Sequence, residues 1–154
     1  MSFEVSMTTG WQDMDMNGHM RNTAYLEKAV DVRLMWFARS GFDAAEFGRR
    51  RIGPVIMSDE IRYHRELGLL EPLRATLALA GAAEDGSRFR LRNEFYRADG
   101  ALAARLDSTG GWLDLNARKL IPPPAEIAAS LEALGRTDDF TVLPSSLRPR
   151  TSGA

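Results

Sequence analysis

The sequence predicts an α+β domain in which an antiparallel sheet curls around one long helix. Three observations lead to this class. One long segment, 23–40, carries apolar side chains at helical spacing, the later segments alternate like half-buried strands, and short turns join most of those strands. A helix that is apolar on most sides is buried most simply when antiparallel strands pack around it. The predicted order is therefore strand, long helix and four strands.

A strand, a polar segment and the long helix come first. Residues 3–9 alternate apolar and polar side chains, as a half-buried strand does. We call residues 13–22 the polar hook, because two carboxylates, two carboxamides and a histidine crowd into this short stretch. The helix is predicted to begin at a cap formed by Asn22 or Thr23 and to end before Gly41. Its apolar stripe is predicted to be Leu26, Ala29, Val30, Leu34 and Phe37.

The strands follow a short helix or turn at residues 43–51. The first of them starts after Pro54, and Asp59 falls on its apolar parity, which predicts a bulge, a sheet edge or a polar spot in the core. The last strand, 101–115, is predicted to be interrupted by a bulge or bend at Gly110 and Gly111. A short helix at 125–134 ends the domain, which we expect to span residues 1–134. The rest, 135–154, is rich in Ser, Pro and Arg and is predicted to be a tail ordered only by contact with another surface.

Composition narrows the class of protein. A length of 154 residues suits one domain with its own core. The net charge of −1 gives no general attraction to nucleic acid or to an anionic membrane. No apolar run approaches the roughly 20 residues of a membrane span, and the first residues do not resemble a secretory signal. Without cysteine, thiolate chemistry is excluded. We therefore expect a cytoplasmic protein whose chemistry comes from Asp, Glu, His, Ser or Thr.

The polar hook is the strongest indication of a functional site. It places Asp13, Asp15, Asn17 and His19 directly before the predicted helix. The start of a helix presents unpaired N–H groups and a partial positive charge, which suit an anion. Ionisable groups beside this positive end predict a site for negative charge that develops during a reaction.

The motif D-M-D-M-N-G-H-M-R-N-T-A-Y-L at residues 13–26 resembles the hotdog-fold acyl-CoA thioesterases grouped with 4-hydroxybenzoyl-CoA thioesterase. Their usual pattern is D-x-D-x-x-G-H-x-N-N-x-x-Y-L, from which this chain departs at Arg21. The resemblance continues at residues 61–66 and 111–114 and covers about residues 3–130. It implies a five-stranded antiparallel sheet wrapped around a central helix, and hydrolysis of an acyl thioester of coenzyme A or of acyl-carrier protein. It also implies a dimer or dimer of dimers with the active site between subunits. We expect no cofactor and no metal.

The resemblance also implies roles for individual residues. Asp15 corresponds to the catalytic carboxylate, which acts as nucleophile or general base, and the backbone N–H of Asn22 to the oxyanion donor, with Thr23 beside it. The plant acyl-carrier-protein thioesterases share D-x-N-x-H with this chain and have a segment similar to residues 63–66. This second resemblance adds Asn17, His19 and Glu66 as orienting or proton-transferring groups.

Each role has a structural alternative. Asp13 is expected to bond backbone N–H groups of the hook, and Asn17 and Asn22 can be turn and cap residues. His19 can be a base or can fix the loop, and Glu66 can be a solvated charge. A metal site of Asp13, Asp15 and His19 is conceivable, but no metal motif supports it.

At the level of the protein, a non-catalytic binder of acyl thioesters or lipids and a dehydratase or hydratase of the same fold remain open. The departure at Arg21 keeps the binding function in consideration. The arginine clusters at 49–51 and at Arg88, Arg90 and Arg92 can meet the phosphates of coenzyme A or form solvated outer faces.

Overall fold

In the computed structural model, which describes residues 3–147, one long helix lies against a curled sheet. The strands are β1 (Phe3–Thr8), β2 (Ile52–Tyr63), β3 (Pro72–Ala83), β4 (Arg88–Arg97), β5 (Leu102–Asp114), β6 (Lys119–Ile121) and β7 (Arg136–Leu143). The helices are α1 (Asn22–Arg39), α2 (Ala44–Arg50) and α3 (Ala125–Ala133), and a 3-10 turn spans Trp11–Asp13. The predicted α+β class is confirmed.

The sheet has the order β1-β3-β4-β5-β2, with neighbouring strands antiparallel. The described residues add two strands to the five that were predicted, because β6 pairs with β5, and β7 pairs with β3 in parallel. β1 pairs with the first half of β3, and β7 pairs with the same edge of β3 further along, at Leu79–Ala83. Residues 136–143 are therefore part of the sheet, which corrects the domain boundary expected at residue 134. The end of the expected tail, 148–154, lies outside the described residues.

Helix α1 buries a different face from the one predicted. Its buried residues are Ala24, Tyr25, Ala29, Val32, Arg33 and Phe37. Ala29 and Phe37 confirm the predicted stripe, but Val30 and Leu34 are each 45% exposed. The prediction was wrong there because Arg33, a charged residue, takes a position on the sheet-facing side. On another side of α1, Trp36 packs on Phe3 of β1, with ring centroids 5.3 Å apart.

The two ends of α1 differ in how their backbone groups are satisfied. The residue that precedes the helix is Arg21, in an extended conformation and without a side-chain cap, so Asn22 and Thr23 are helical residues and not the cap. At the other end Gly41 has φ +88°, and the N–H of Phe42 donates to the carbonyl of Phe37 at 2.8 Å, as expected for a glycine that ends a helix. The predicted end is confirmed, whereas the predicted cap is wrong, because Arg21 occupies the cap position and its side chain caps no backbone N–H.

Strand β2 forms an edge of the sheet, and Asp59 lies on it. β5 runs through Gly110 and Gly111 without a break, and the bulge expected there lies in the opposite strand, β2, between Ile56 and Ser58. A Cβ on Gly110 would stand 2.2 Å from the carbonyl oxygen of Val55. Glycine is thus required at residue 110 by the close approach of β2 and not by a break in β5.

No helix among residues 3–147 combines the length and the apolar character that crossing a membrane requires.

Candidate active site

Asp13 anchors the polar hook to α1. Its Oδ2 accepts the N–H of Gly10 at 2.7 Å and lies 3.1 Å from Nζ of Lys28, with side-chain exposures of 6% for Asp13 and 14% for Lys28. Burial disfavours the carboxylate, but the Gly10 N–H and the Lys28 ammonium outweigh it and hold the pKa of Asp13 below its usual value. The expected structural use of Asp13 is confirmed, and its partner Lys28 had no signal in the sequence other than a charge on the helix.

Asp15 closes a tight loop and keeps one oxygen free. The loop is held by the Asp15 N–H, which donates to the His19 carbonyl at 2.8 Å, and by Gly18 at φ +77°. Asp15 Oδ1 accepts the N–H groups of Asn17 at 2.8 Å and of His19 at 3.3 Å. Oδ2 accepts no hydrogen bond from the described part of the chain. One half of the carboxylate therefore orients the group, and the other half is available to a ligand.

An open cleft of about 590 Å³ borders Asp15. Its walls are largely apolar and include Trp11, Met14, Met16 and Leu69. Trp11 is 80% exposed and Met16 is fully exposed. Large apolar side chains that stay in solvent around a carboxylate are typical of a binding surface.

The start of α1 carries two free backbone donors. In residues 3–147 the N–H groups of Asn22 and Thr23 meet no acceptor, whereas the N–H of Arg21 donates to the Asp13 carbonyl at 2.7 Å. The Arg21 side chain, which stands where the family pattern has Asn, ties the hook to the helix. It donates to the Gln12 carbonyl at 3.1 Å, to the Thr23 hydroxyl, and to Glu27 at 3.0 Å. The departure from the motif thus places a cation beside the positive end of the helix.

The structure brings His19 and Glu66 together within one chain. His19 Nε2 lies 2.9 Å from Glu66 Oε2. The pairing follows from the backbone, because the N–H of Met20 donates to the carbonyl of Leu67 at 2.7 Å and so aligns the hook with the segment after β2. Arg97 also donates to the Glu66 carbonyl, at 3.0 Å. Asn17 contributes its backbone N–H to the Asp15 carboxylate, and its side chain is exposed.

Tyr25 is a residue of the site that sequence reasoning passed over. It is 2% exposed, in edge contact with Tyr63 and Phe95 at ring-centroid distances of 5.4 and 5.3 Å. Burial raises the pKa of Tyr25 to about 12, and the charges of Asp15 and Glu66 act in the same direction. Its hydroxyl therefore stays protonated near the carboxylates of the site. Its place in the motif was the only sequence signal.

The remaining charged clusters are engaged elsewhere. Arg49 pairs with Glu46 and Arg50 with Glu126. On the sheet, Arg92 binds Asp107 and Asp139 at 2.7 and 2.9 Å. Within residues 3–147 no three His, Asp or Glu side chains are arranged to hold a metal ion, and the Asp13 carboxylate is committed to Lys28.

Solved structures share this architecture. The protein SAV2348 from Staphylococcus aureus, solved in complex with CoA, has a TM-score of 0.79 at 19% identity over 97% of this chain and 90% of that one. Slr0204, a 1,4-dihydroxy-2-naphthoyl-CoA thioesterase from Synechocystis, has a TM-score of 0.77 at 16% identity over 86% and 97%. YbaW, a probable thioesterase from Escherichia coli, has 0.71 at 22% over 85% and 97%. At such identities the similarity establishes the fold.

A curled antiparallel sheet around a long helix, with a polar hook at the start of that helix, defines a hotdog-fold protein of the thioesterase type. The chain belongs to the thioesterase-like superfamily, whose model matches residues 9–131. No curated protein sequence matches it. The resemblance inferred from the motif is thus confirmed.

Proposed function

We propose that this protein hydrolyses acyl-CoA thioesters to a free acid and coenzyme A. The observation that carries the proposal is the arrangement at the start of α1. Two N–H groups without acceptors, those of Asn22 and Thr23, accompany an Asp15 carboxylate that has one oxygen free and borders an open cleft. Membership of the thioesterase-like superfamily supports the same reaction class.

In the proposed reaction the thioester carbonyl oxygen accepts the N–H of Asn22, with that of Thr23 beside it. Asp15 attacks the carbonyl carbon or takes a proton from the water that does so, and negative charge moves to the carbonyl oxygen. Each preorganised donor is worth roughly 2.7–4 kcal/mol in the transition state. Collapse of the intermediate breaks the C–S bond, and the departing sulfur takes up a proton. The pair of His19 and Glu66 is the proposed route for that proton. Where Asp15 is the nucleophile, collapse leaves a mixed anhydride, which water then hydrolyses to the free acid and the Asp15 carboxylate; where Asp15 is the base, collapse gives the free acid directly.

The working unit is proposed to be a dimer or an assembly of dimers. β2 pairs with β5 on one side, and its other edge, of twelve residues, has no partner strand within residues 3–147. Ile56 and Met57 on this strand are each 43% exposed. A second copy that adds its own β2 would cover both the edge and these side chains, which is the symmetric solution to an exposed edge.

The test is thiol release from a panel of acyl-CoAs, followed with a thiol reagent. Asp15→Asn is expected to lower kcat at least ~100-fold, the lower range for a positioned acid or base. The fold should survive, because the amide oxygen can still accept the N–H groups of Asn17 and His19.

Asp13→Asn serves as the matched control, since it removes the neighbouring charge and should alter stability more than turnover. Binding of acyl-CoA without thiol release by the wild-type protein would support the non-catalytic alternative. Near-full turnover in Asp15→Asn together with loss in Asp13→Asn would show that the catalytic carboxylate is misassigned.

A further inference from the structure

A polar network crosses the core between α1 and β2. Its centre is Arg33, which is 7% exposed although arginine is seldom buried without partners. Arg33 Nε and Nη2 donate to Asn93 Oδ1 at 3.1 and 2.9 Å, and Nη2 also donates to the Ser108 hydroxyl. That hydroxyl in turn donates to Asp59 Oδ1. Burial lowers the pKa of Arg33 to about 10, against the effect of Asp59, so the guanidinium remains charged at neutral pH.

Two polar atoms of this network are free. Within the described residues Arg33 Nη1 donates to no acceptor, and Asp59 Oδ2 accepts from no donor. Asp59 is exposed on the edge strand, and Arg33 keeps 7% of its surface accessible. Ser108 binds both side chains, so a largely buried cationic donor and an exposed anionic acceptor lie on either side of one hydroxyl.

The network lies along a line that starts at the candidate active site. Near the start of α1, the rings of Tyr25 and Tyr63 are in contact. From Tyr25 to Arg33 the helix advances about 12 Å, and from Tyr63 back to Asp59 the strand advances about 13 Å. The two elements therefore run side by side over this distance, which we call the α1–β2 seam.

In the single chain the seam is bordered by apolar side chains that remain in solvent, and the second copy proposed to pair with β2 would form its outer wall. Two lie on α1 and two on β2, each between 43% and 50% exposed: Val30, Leu34, Ile56 and Tyr63. An apolar path that begins beside the candidate active site and ends at two polar groups has the chemistry of a pocket for an amphipathic acyl group.

We propose that the acyl group of the substrate lies in the α1–β2 seam and that Arg33 and Asp59 recognise a hydroxyl group on its distal part. The proposal rests on the thioesterase function proposed above. A hydroxyl is the small group that both accepts and donates, so it accepts from Arg33 Nη1 and donates to Asp59 Oδ2. A methyl group would leave both atoms desolvated without a partner, and a carboxylate would be repelled by Asp59.

The first experiment uses the wild-type protein. Its kcat/KM is measured for CoA thioesters of eight-, ten- and twelve-carbon acyl chains that end in a methyl, a hydroxyl or a carboxylate group. At one or more lengths the hydroxyl-terminated substrate is expected to exceed the methyl-terminated one at least roughly tenfold, with the carboxylate lowest. Equal rates at every length, or preference for the carboxylate, would overturn the proposal.

Binding separates this inference from the catalytic one. The same thioesters are titrated into Asp15→Asn by calorimetry, where hydrolysis is not required. Tighter binding of the hydroxyl-terminated thioester supports the seam even if no turnover is found, in which case only the proposed hydrolysis fails. Turnover without any preference in rate or binding would overturn the proposed recognition of a hydroxyl in the α1–β2 seam but would leave the proposed hydrolysis standing.

Two variants then address the residues. Asp59→Asn and Arg33→Met are expected to abolish the preference for the hydroxyl, so that the hydroxyl- and methyl-terminated substrates of one length give equal kcat/KM. Arg39→Met, an exposed arginine on the same helix, is the control and should keep the preference. If Arg33→Met does not fold because Asn93 and Ser108 lose their donor, Asp59→Asn tests the proposal alone, since Asp59 is exposed on the edge strand. An equal loss on all substrates, or a change only in oligomeric mass, would show a structural network and overturn the assignment.

Discussion

At the scale of residues, two aspartates that are separated by one methionine have opposite environments. Asp13 is 4% exposed and pairs with Lys28, whereas Asp15 is exposed and holds its own loop with one oxygen. The pattern D-x-D does not distinguish them, because both are short acidic residues in a turn. The difference arises because the 3-10 turn directs Asp13 inward and Gly18, at φ +77°, folds the chain back around Asp15.

The Asp13–Lys28 pair predicts a pH dependence of stability. The pKa of Asp13 is lower in the folded state than the 3.8 of the unfolded chain. As the pH falls, the unfolded state therefore takes up this proton before the folded state does. The contribution of the pair is therefore complete above the unfolded pKa and is lost as the pH falls through the folded pKa. Urea unfolding between pH 6 and pH 2 should show this loss in the wild-type protein.

The loss should be reduced in Asp13→Asn. That variant should also be roughly 3 kcal/mol less stable at pH 6, as expected when one partner of a buried ion pair is removed. In a double-mutant cycle with Lys28→Met, a coupling energy near zero would show that the two side chains do not act as a pair.

The contact of His19 with Glu66 predicts graded losses of activity. His19→Ala should lower kcat roughly 100-fold if the imidazole transfers a proton. Glu66→Gln should lower it less, roughly tenfold, with KM unchanged, because Glu66 would act by orienting His19.

Steady-state kinetics with one acyl-CoA substrate measures both effects. Glu132→Gln, which removes a carboxylate on α3 that pairs with Arg136, is the control for a neutral change. If both site variants keep full turnover, Asp15 and the start of α1 are the whole catalytic apparatus.

At the scale of elements, β7 packs at a defined position on β3, beside Gly81. A Cβ on Gly81 would meet the carbonyl oxygen of Thr141 at 3.0 Å and Cγ of Leu143 at 3.1 Å. Because Gly81 has no Cβ, β7 can lie this close to β3. Residues 136–143 therefore belong to the folded domain. The Ser, Pro and Arg content of residues 135–154 suggested a tail, but Asp139 binds Arg92 of β4 and so helps to hold β7 on the sheet.

Gly81→Ala should therefore destabilise the protein. Crowding against β7 is expected to cost about 1–3 kcal/mol, as overpacking does elsewhere. The matched control is Gly53→Ala in β2, where the nearest atom to the added Cβ is Leu115 Cδ2 at 3.9 Å. Urea unfolding compares the two, and equal stability of both variants would contradict the proposed packing of β7.

At the scale of the whole molecule, the open edge of β2 predicts self-association. Light scattering coupled to size exclusion should give a mass of at least twice the 17.1 kDa of the chain. Ile56→Lys places a charge on the apolar edge and should shift the mass toward the monomer. Val142→Lys, on the 65% exposed Val142 of β7, should not.

The relation between mass and activity tests the shared site. A preparation with a sole 17 kDa species that still hydrolyses acyl-CoA would contradict an active site formed between subunits. Activity that disappears together with the dimer in Ile56→Lys would support it.

Local sequence information was sufficient to predict the α+β class, the long helix, and the polar hook with its carboxylates. Periodicity identifies α1 and the strands because burial on one face imposes it on the sequence, and the motif at residues 13–26 identifies the family because a tight loop before a helix needs particular residues. The end of α1 at Gly41 was predictable for the same reason, since a left-handed residue there is a local requirement.

Tertiary structure decided what depends on residues distant in the sequence. The contact of His19 with Glu66, the pair of Asp13 and Lys28, and the network of Arg33 with Asp59 each join separate elements. Periodicity could not show that Arg33 is buried while Val30 and Leu34 are exposed, because the buried face of a helix is chosen by the sheet that packs on it. Periodicity also could not predict the position of β7, because this parallel strand meets β3 only after α3 has brought the chain back to the sheet.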